Sequence, residues 1–219
     1  TVTISDEPSV TQLVTINAAT TGAITLSDTD GALSGTAANL VSAFAGTVTT
    51  HTGAVTISDE PTVAQLVTIN AATTGAITLS DTDGALSGSA ANLVSAFAGT
   101  VTTHTGTVTI TDTPTVAQAN TIDAATSGAI TATFADDATD LATLTGTGNA
   151  YTLTLSNTDA ATLAELVTIN AATTGAITLN ALTIAANLSG SAANLVSAFA
   201  GTVTTHTGTV TITDTPTVA

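Results

Sequence analysis

The stretch AANLVSAFAGTVTTHTG occurs three times in this chain without a change, at 37–53, 90–106 and 192–208. It lies inside a longer period. Residues 2–54 and 55–107 align without a gap and differ at four of 53 positions: Ser9/Thr62, Thr11/Ala64, Thr36/Ser89 and Ala54/Thr107. Residues 209–219 repeat 107–117. A chain that copies itself this closely must reuse the same local contacts in each copy, so fixed self-similarity takes precedence over every other sequence feature.

Inside the period, runs rich in Thr, Val and Ile alternate as half-buried strands do. They fall at 2–4, 23–26, 47–57, 76–79, 100–110, 129–134, 150–155, 176–184 and 202–212. Two kinds of helix are predicted between them. The first is PTVAQLVTINAATTG at 61–75, where Thr62 and Gln65 have capping-box spacing and Gly75 sits where a C′ glycine belongs. Its apolar stripe is read as Val63, Leu66 and Val67. The second is SAANLVSAFAG at 89–99, with Ser89 as N-cap, Leu93, Val94 and Phe97 on one face, and Gly99 closing it. A strand, a short crossover and a further parallel strand, repeated, predict a repeat solenoid. The expected fold is an α/β solenoid with parallel strands and short helices, an all-β solenoid being the alternative. The domain reading is a single repeat array over 1–219, cut from a longer chain. It comprises repeats 2–54 and 55–107, a divergent longer repeat 108–209, and the start of another at 210–219.

Composition narrows the partners. There is no lysine or arginine in 219 residues, where an average chain would carry roughly twenty-five. The formal charge of −16 has no basic side chain to answer it beyond three histidines. Nothing here can neutralise phosphates, which excludes nucleic acid and anionic lipid headgroups as partners. Cysteine is absent, so disulfides and thiolate metal sites do not enter. No run approaches 18 consecutive apolar residues, and no membrane span is expected. Threonine makes up about a quarter of the chain and the aromatics are Tyr151 and four Phe. A core of such small side chains suits closely packed flat layers.

The stretches SGTAANLVSAFAG, TDTPTVAQANTIDAATSGAIT and SNTDAATLAELVTINAATTGAIT resemble the strand–helix repeats of very large bacterial cell-surface and extracellular proteins. The resemblance covers nearly the whole chain and rests on motifs of low complexity. It implies secreted stalks, adhesins and surface layers. Some members of that group carry glycine-rich calcium-binding nonapeptides. This chain has none, so a calcium β-roll is not carried over.

Few residues carry chemistry. The turns SDTDG at 27–31 and 80–84 place Asp28 and Asp30, and again Asp81 and Asp83, in a D-x-D-G loop of the kind that holds calcium through carboxylates. The rest of an EF-hand loop is missing, and Asp-Gly turns also form without an ion. Calcium is therefore permitted at these four residues, and no cofactor is required. His51, His104 and His206 share the context TVTTHTG, and alternation counted from Val48 turns His51 outward, as a solvated strand-end histidine. Asp136, Asp137 and Asp140 read as the first turn of a helix, where carboxylates suit the dipole. No G-x-S-x-G elbow is present, and copied residues are a poor frame for a unique active site, so the chain is not expected to be an enzyme.

These readings converge on a structural segment of an extracellular or cell-surface filament, stalk or surface layer that self-associates end to end by coil stacking. One alternative is a calcium-stiffened adhesin stalk, a binding module whose surface or glycan ligand the residues do not specify. The other is the repeat region of a secreted enzyme with its catalytic domain elsewhere.

Overall fold

The computed structural model describes residues 1–156 and 158–216. The chain divides into two compact units, residues 1–107 with 125–128, and residues 108–124 with 129–219.

The first unit runs β1 (Val2–Ile4), α1 (Val10–Ala19), β2 (Ile24–Leu26), β3 (Leu33–Gly35), α2 (Ala37–Ala43), β4 (Val55–Ile57), α3 (Val63–Ala72), β5 (Ile77–Leu79), β6 (Leu86–Gly88) and α4 (Ala90–Ala96). β1 pairs with β2, and β4 lies between β3 and β5, all parallel. The pairs Val2↔Ile24, Leu33↔Val55 and Val55↔Ile77 share one spacing along the chain. Each strand is only three residues long; β2, β4 and β5 bury both outer positions, as in Ile24 and Leu26 or Val55 and Ile57, whereas β1, β3 and β6 bury one.

The second unit runs β7 (Val108–Ile110), α5 (Val116–Ala125), β8 (Ile130–Asp136), α6 (Ala138–Leu141), β9 (Ala150–Leu155), α7 (Leu163–Ala171), β10 (Ile177–Thr178), α8 (Ala181–Ala185), β11 (Leu188–Gly190), α9 (Ala192–Ala198) and β12 (Val210–Ile212). Strands β7 to β10 pair side by side in chain order, and β11 pairs with β12. The longest pairing joins β8 to β9. There the rings of Phe134 and Tyr151 meet edge to face, centroids 5.1 Å apart, in the favoured aromatic geometry.

Local chemistry accounts for the helices. Ser9 with Gln12, Thr62 with Gln65 and Thr162 with Glu165 form complete capping boxes at the starts of α1, α3 and α7. Thr36, Ser89 and Ser191 cap α2, α4 and α9. The last carbonyls of those three short helices are reached from the preceding long helix. Asn17 donates to the carbonyls of Ala43 and Ala45, Asn70 to Ala96 and Ala98, and Asn170 to Ala198 and Ala200, at 2.7–3.3 Å. These are orphan acceptors that a helix end must otherwise leave to water.

Neither the α/β solenoid nor the all-β alternative forms. The strands fall into four separate parallel sheets linked by short helices, a mixed α/β architecture. The physical reason lies in the TVTTHTG segments. They were expected to be continuous strands, but between Thr47 and Ala54 the backbone makes only isolated bridges, Ile24↔Val48 and His51↔Thr73. A sheet cannot propagate through single bridges, so it ends there. The filament reading and end-to-end self-association depended on one uninterrupted column, and both are corrected with it.

Several elements also differ from expectation. The LSG strands β3, β6 and β11 are too short to show alternation. AITLNALTI was read as a strand, yet it yields two strand residues and then α8, because the Asn180 Oδ1 accepts the Thr183 N–H at 2.7 Å and caps a helix. α3 buries Val63, Leu66 and Ile69 in place of Val67. Gly75 is no C′ glycine, since α3 ends at the cap Thr73. A Cβ on Gly75 would run into the carbonyl of Gly53, so the residue serves close backbone approach.

Candidate metal centre

The first acidic turn is built by backbone bonds. The Asp30 N–H donates to the Asp28 Oδ1 at 3.3 Å, which folds the loop on itself. Thr52 then clamps it from the neighbouring segment. Its N–H donates to the Thr29 carbonyl at 2.7 Å, its Oγ1 donates to the same oxygen at 3.0 Å, and the Gly53 N–H does so at 3.0 Å. Gly53 permits this approach, since a Cβ there would overlap the Asp30 carbonyl. From the turn before α1, the Glu7 side chain lies against Gly31. One carboxylate oxygen from each of Glu7, Asp28 and Asp30 is thereby brought within 4.8 Å of the others.

Crowding marks the group electrically. A hydrogen bond to Asp28, followed by the charge of that residue, raises the Asp30 pKa above its ordinary value of 3.8. Two carboxylates this close resist simultaneous ionisation unless a proton or a cation sits between them.

His51 stands on the same pocket as Glu7 and Asp28, with Leu13, Leu26 and Leu33 as apolar walls. It is 3 % exposed, and neither ring nitrogen has a hydrogen-bond partner. Its backbone is fixed on both sides: the His51 N–H donates to Ala72 at 3.0 Å, and its carbonyl accepts from the Thr74 N–H at 2.9 Å and the Thr73 Oγ1 at 3.1 Å. Burial lowers its pKa from 6.5, and the nearby Asp30 charge opposes that shift. The outward, solvated histidine expected from the sequence is thus corrected. Alternation holds from His51 through Gly53 and Val55 to Ile57, all buried, but slips phase between Val48 and His51.

The second copy repeats the loop. The Asp83 N–H donates to the Asp81 Oδ1 at 3.3 Å, and Thr105 clamps Thr82 through its N–H at 2.7 Å and its Oγ1 at 3.0 Å. Here Glu60 lies over Gly84. The oxygens of this copy do not form a second set within the 4.8 Å limit: among the described residues the only other such set is Asp136, Asp137 and Asp140. In that set Asp137 is the N-cap of α6 and accepts from the Asp140 N–H at 2.9 Å, the helix-turn role expected of it. The third copy keeps a histidine, His206, half-buried beside Phe199, but NALTIAA replaces the acidic turn.

Of the four predicted ligands, the structure therefore gathers Asp28 and Asp30 with Glu7, while Asp81 and Asp83 belong to no such set of three. Sequence reasoning missed Glu7 and misplaced His51. The signal for Glu7 was available in the pair Glu7-Pro8, repeated at Glu60-Pro61 in the same register as the turns. The chain thus carries acidic groups that can coordinate a metal ion. The expectation that it is not an enzyme also needs correction. It rested on copies being equivalent, yet one copy alone draws three carboxylates together beside a buried imidazole, a combination used in metal-assisted and acid–base chemistry.

No protein-family model matches the chain, and neither does any curated protein or solved structure. The resemblance to large cell-surface repeat proteins is not supported by these comparisons, and the four separate sheets contradict the tandem solenoid it implied.

Proposed function

We propose that this chain is a divalent-cation-binding module whose cation is calcium. The observation that carries the reading is the convergence of Glu7, Asp28 and Asp30 within 4.8 Å. Three hard oxygen donors of like charge suit a hard cation, and the absence of lysine and arginine leaves them without a basic neighbour to neutralise them. We place the module outside the cell, where calcium at about 10⁻⁴–10⁻³ M matches the affinity of loops with few protein ligands. Isothermal titration calorimetry with calcium chloride tests this. Saturable binding that the double substitution Asp28→Asn/Asp30→Asn abolishes supports the reading, and absence of heat at millimolar calcium refutes it.

A second reading, metal-assisted hydrolysis, is favoured by His51, a buried neutral imidazole on the pocket wall beside the carboxylates. Release of nitrophenol from an activated phosphodiester or ester, dependent on added metal and lost in His51→Gln, would support it. No turnover with calcium, manganese or zinc would remove it.

A further inference from the structure

We infer that the first unit carries a further binding site, a neutral cleft that takes one ring of a polyhydroxylated ligand, a sugar by chemical class. It lies between the segment after α2 and the last turn of α3, and it shares no residue with the Glu7, Asp28 and Asp30 group. Sugar binding here is independent of cation binding.

The cleft has a volume of about 230 Å³, room for roughly seven waters at about 30 Å³ each and comparable with one pyranose ring. Phe44, Val48 and Thr50 line it from the α2 end, and Thr68, Ala71 and Ala72 from α3. An open strand edge accounts for its polarity. The Ile24 N–H donates to the Thr47 carbonyl at 2.8 Å and the Thr49 N–H to the Ile24 carbonyl at 3.0 Å, so Thr47 and Thr49 turn these groups toward β2. Successive residues of an extended segment direct their backbone groups to opposite edges, and Val48 therefore faces the other way. There the last turn of α3 stands where a strand would pair. Among the described residues, the N–H and carbonyl of Val48 and of Thr50 have no hydrogen-bond partner, nor has the Thr50 hydroxyl. Val48 is half-buried, and backbone groups so placed must be served by solvent or by a ligand.

The lining defines the ligand class. It contains no titratable side chain, so a cation finds no carboxylate here, and the net charge of −16 repels an anion. A donor and an acceptor side by side on one residue suit a hydroxyl, which accepts from the N–H and donates to the carbonyl of its neighbours. The Thr68 hydroxyl already donates to the Ala64 carbonyl at 3.0 Å, which leaves it free to accept from a second ligand hydroxyl. Phe44 and the methyl groups of Ala71 and Ala72 supply the apolar surface that the C–H face of a sugar ring covers. An extended peptide does not fit, because the open edge stops at Thr50: the next N–H, that of His51, is bonded to the Ala72 carbonyl at 3.0 Å.

Titration of the ¹⁵N-labelled full chain with glucose, galactose, mannose and N-acetylglucosamine, each to tens of millimolar, tests the site by its amide spectrum. The expected result is a saturable shift of the Val48 and Thr50 amides with at least one sugar, and no such shift with glycerol. Thr50→Val should weaken that binding about two- to tenfold, the range of one neutral hydrogen bond. Ala71→Leu, at an exposed helical position where leucine is well tolerated, fills the cleft and should abolish the shifts. Amide spectra that otherwise match the parent chain verify that both variants fold, and the shifts in the parent chain decide the matter if either does not. No saturable shift with any of the four sugars, shifts confined to amides elsewhere, or shifts that survive Ala71→Leu overturn the site. Equal shifts with glycerol overturn the recognition of a ring. The calcium titration reads the carboxylate group separately, so either site can fail without the other.

Discussion

The ring of Phe44 lies 6.0 Å from that of His51, centroid to centroid, with the two planes tilted by 42°. Phe97 and His104 repeat the relationship at 6.0 Å and 40°. Phe44 is the C-cap of α2, and the pair fastens the end of a helix to the imidazole that borders the acidic turn. Phe44→Ala removes a buried ring and should destabilise the chain by about 3–5 kcal/mol, read from urea unfolding. A loss under about 1 kcal/mol would show that the ring does not anchor the histidine.

Acid should weaken the fold through the same residues. Burial lowers the pKa of both His51 and His104 from 6.5, opposed on the first by the charge of Asp30 and on the second by the Gly84 backbone, followed by the charges of Asp81, Asp83 and Glu60. The unfolded chain therefore takes up these protons before the folded chain does. Stability is highest above pH about 6.5, falls as pH drops through the window below it, and levels off beneath the folded-state values. Urea midpoints measured in chelator from pH 8 to 5 should decline across that window, and the decline should shrink in His51→Gln/His104→Gln. An identical slope in the double variant contradicts the assignment.

Asn70 reaches two carbonyls at the end of α4 with a single amide, at 3.1 and 2.7 Å. Asn70→Ala leaves both acceptors without that donor and should lower stability by about 1–3 kcal/mol. Thermal unfolding against the unaltered chain gives the comparison, and an unchanged midpoint would mean that water replaces the amide without loss.

Gly53 tests the link between backbone and acids. A side chain at this position meets the Asp30 carbonyl directly, with no flexible atom to yield. Gly53→Ala should both destabilise the unit and weaken calcium binding, since the loop carrying Asp28 and Asp30 must shift. Thr52→Val, which keeps the backbone N–H but loses the hydroxyl bond to Thr29, should weaken binding less. Equal calcium affinity in Gly53→Ala and the parent chain would show that the loop does not need this approach.

Glu165 extends the pH behaviour to a helix cap. Its carboxylate accepts from the Thr162 backbone N–H at 2.8 Å, and this bond, followed by smaller effects that include its bonds to the Thr162 and Thr139 hydroxyls, lowers its pKa from 4.5. A depressed carboxyl stabilises the folded state above its unfolded value and loses that contribution as pH falls through the folded one. Thr162→Ala should cost about 1 kcal/mol at neutral pH and less at pH 3. A cost that stays constant with acid would place the stabilisation in the threonine alone.

The sequence carried the helices well and the sheets poorly, for reasons visible in particular residues. Thr62 with Gln65, and Ser89 ahead of Ala90, announce helix starts through side-chain bonds that span three residues, so local reading finds them. Leu33–Gly35 becomes a strand only because Val55–Ile57 lies beside it, and no local signal states that. The acidic turn was legible because Asp28 and Asp30 are neighbours in sequence. Glu7 leaves only the repeated Glu-Pro pair as its trace, because α1 separates it from the turn, and His51 is misdirected by a phase slip that strict alternation cannot register. Repetition in the sequence suggested one continuous column, but three-residue strands joined by single bridges were too short to continue the sheet.

The most direct test of the cation-binding account is the thermal midpoint of the chain in excess calcium and in EGTA. Calcium at about 100 times its dissociation constant adds about 2.7 kcal/mol per site, which raises the midpoint by several degrees in a chain of this size. The account predicts that rise in the native chain and none in Asp28→Asn/Asp30→Asn/Asp81→Asn/Asp83→Asn. Coincident melting curves of the native chain in calcium and in EGTA would contradict it.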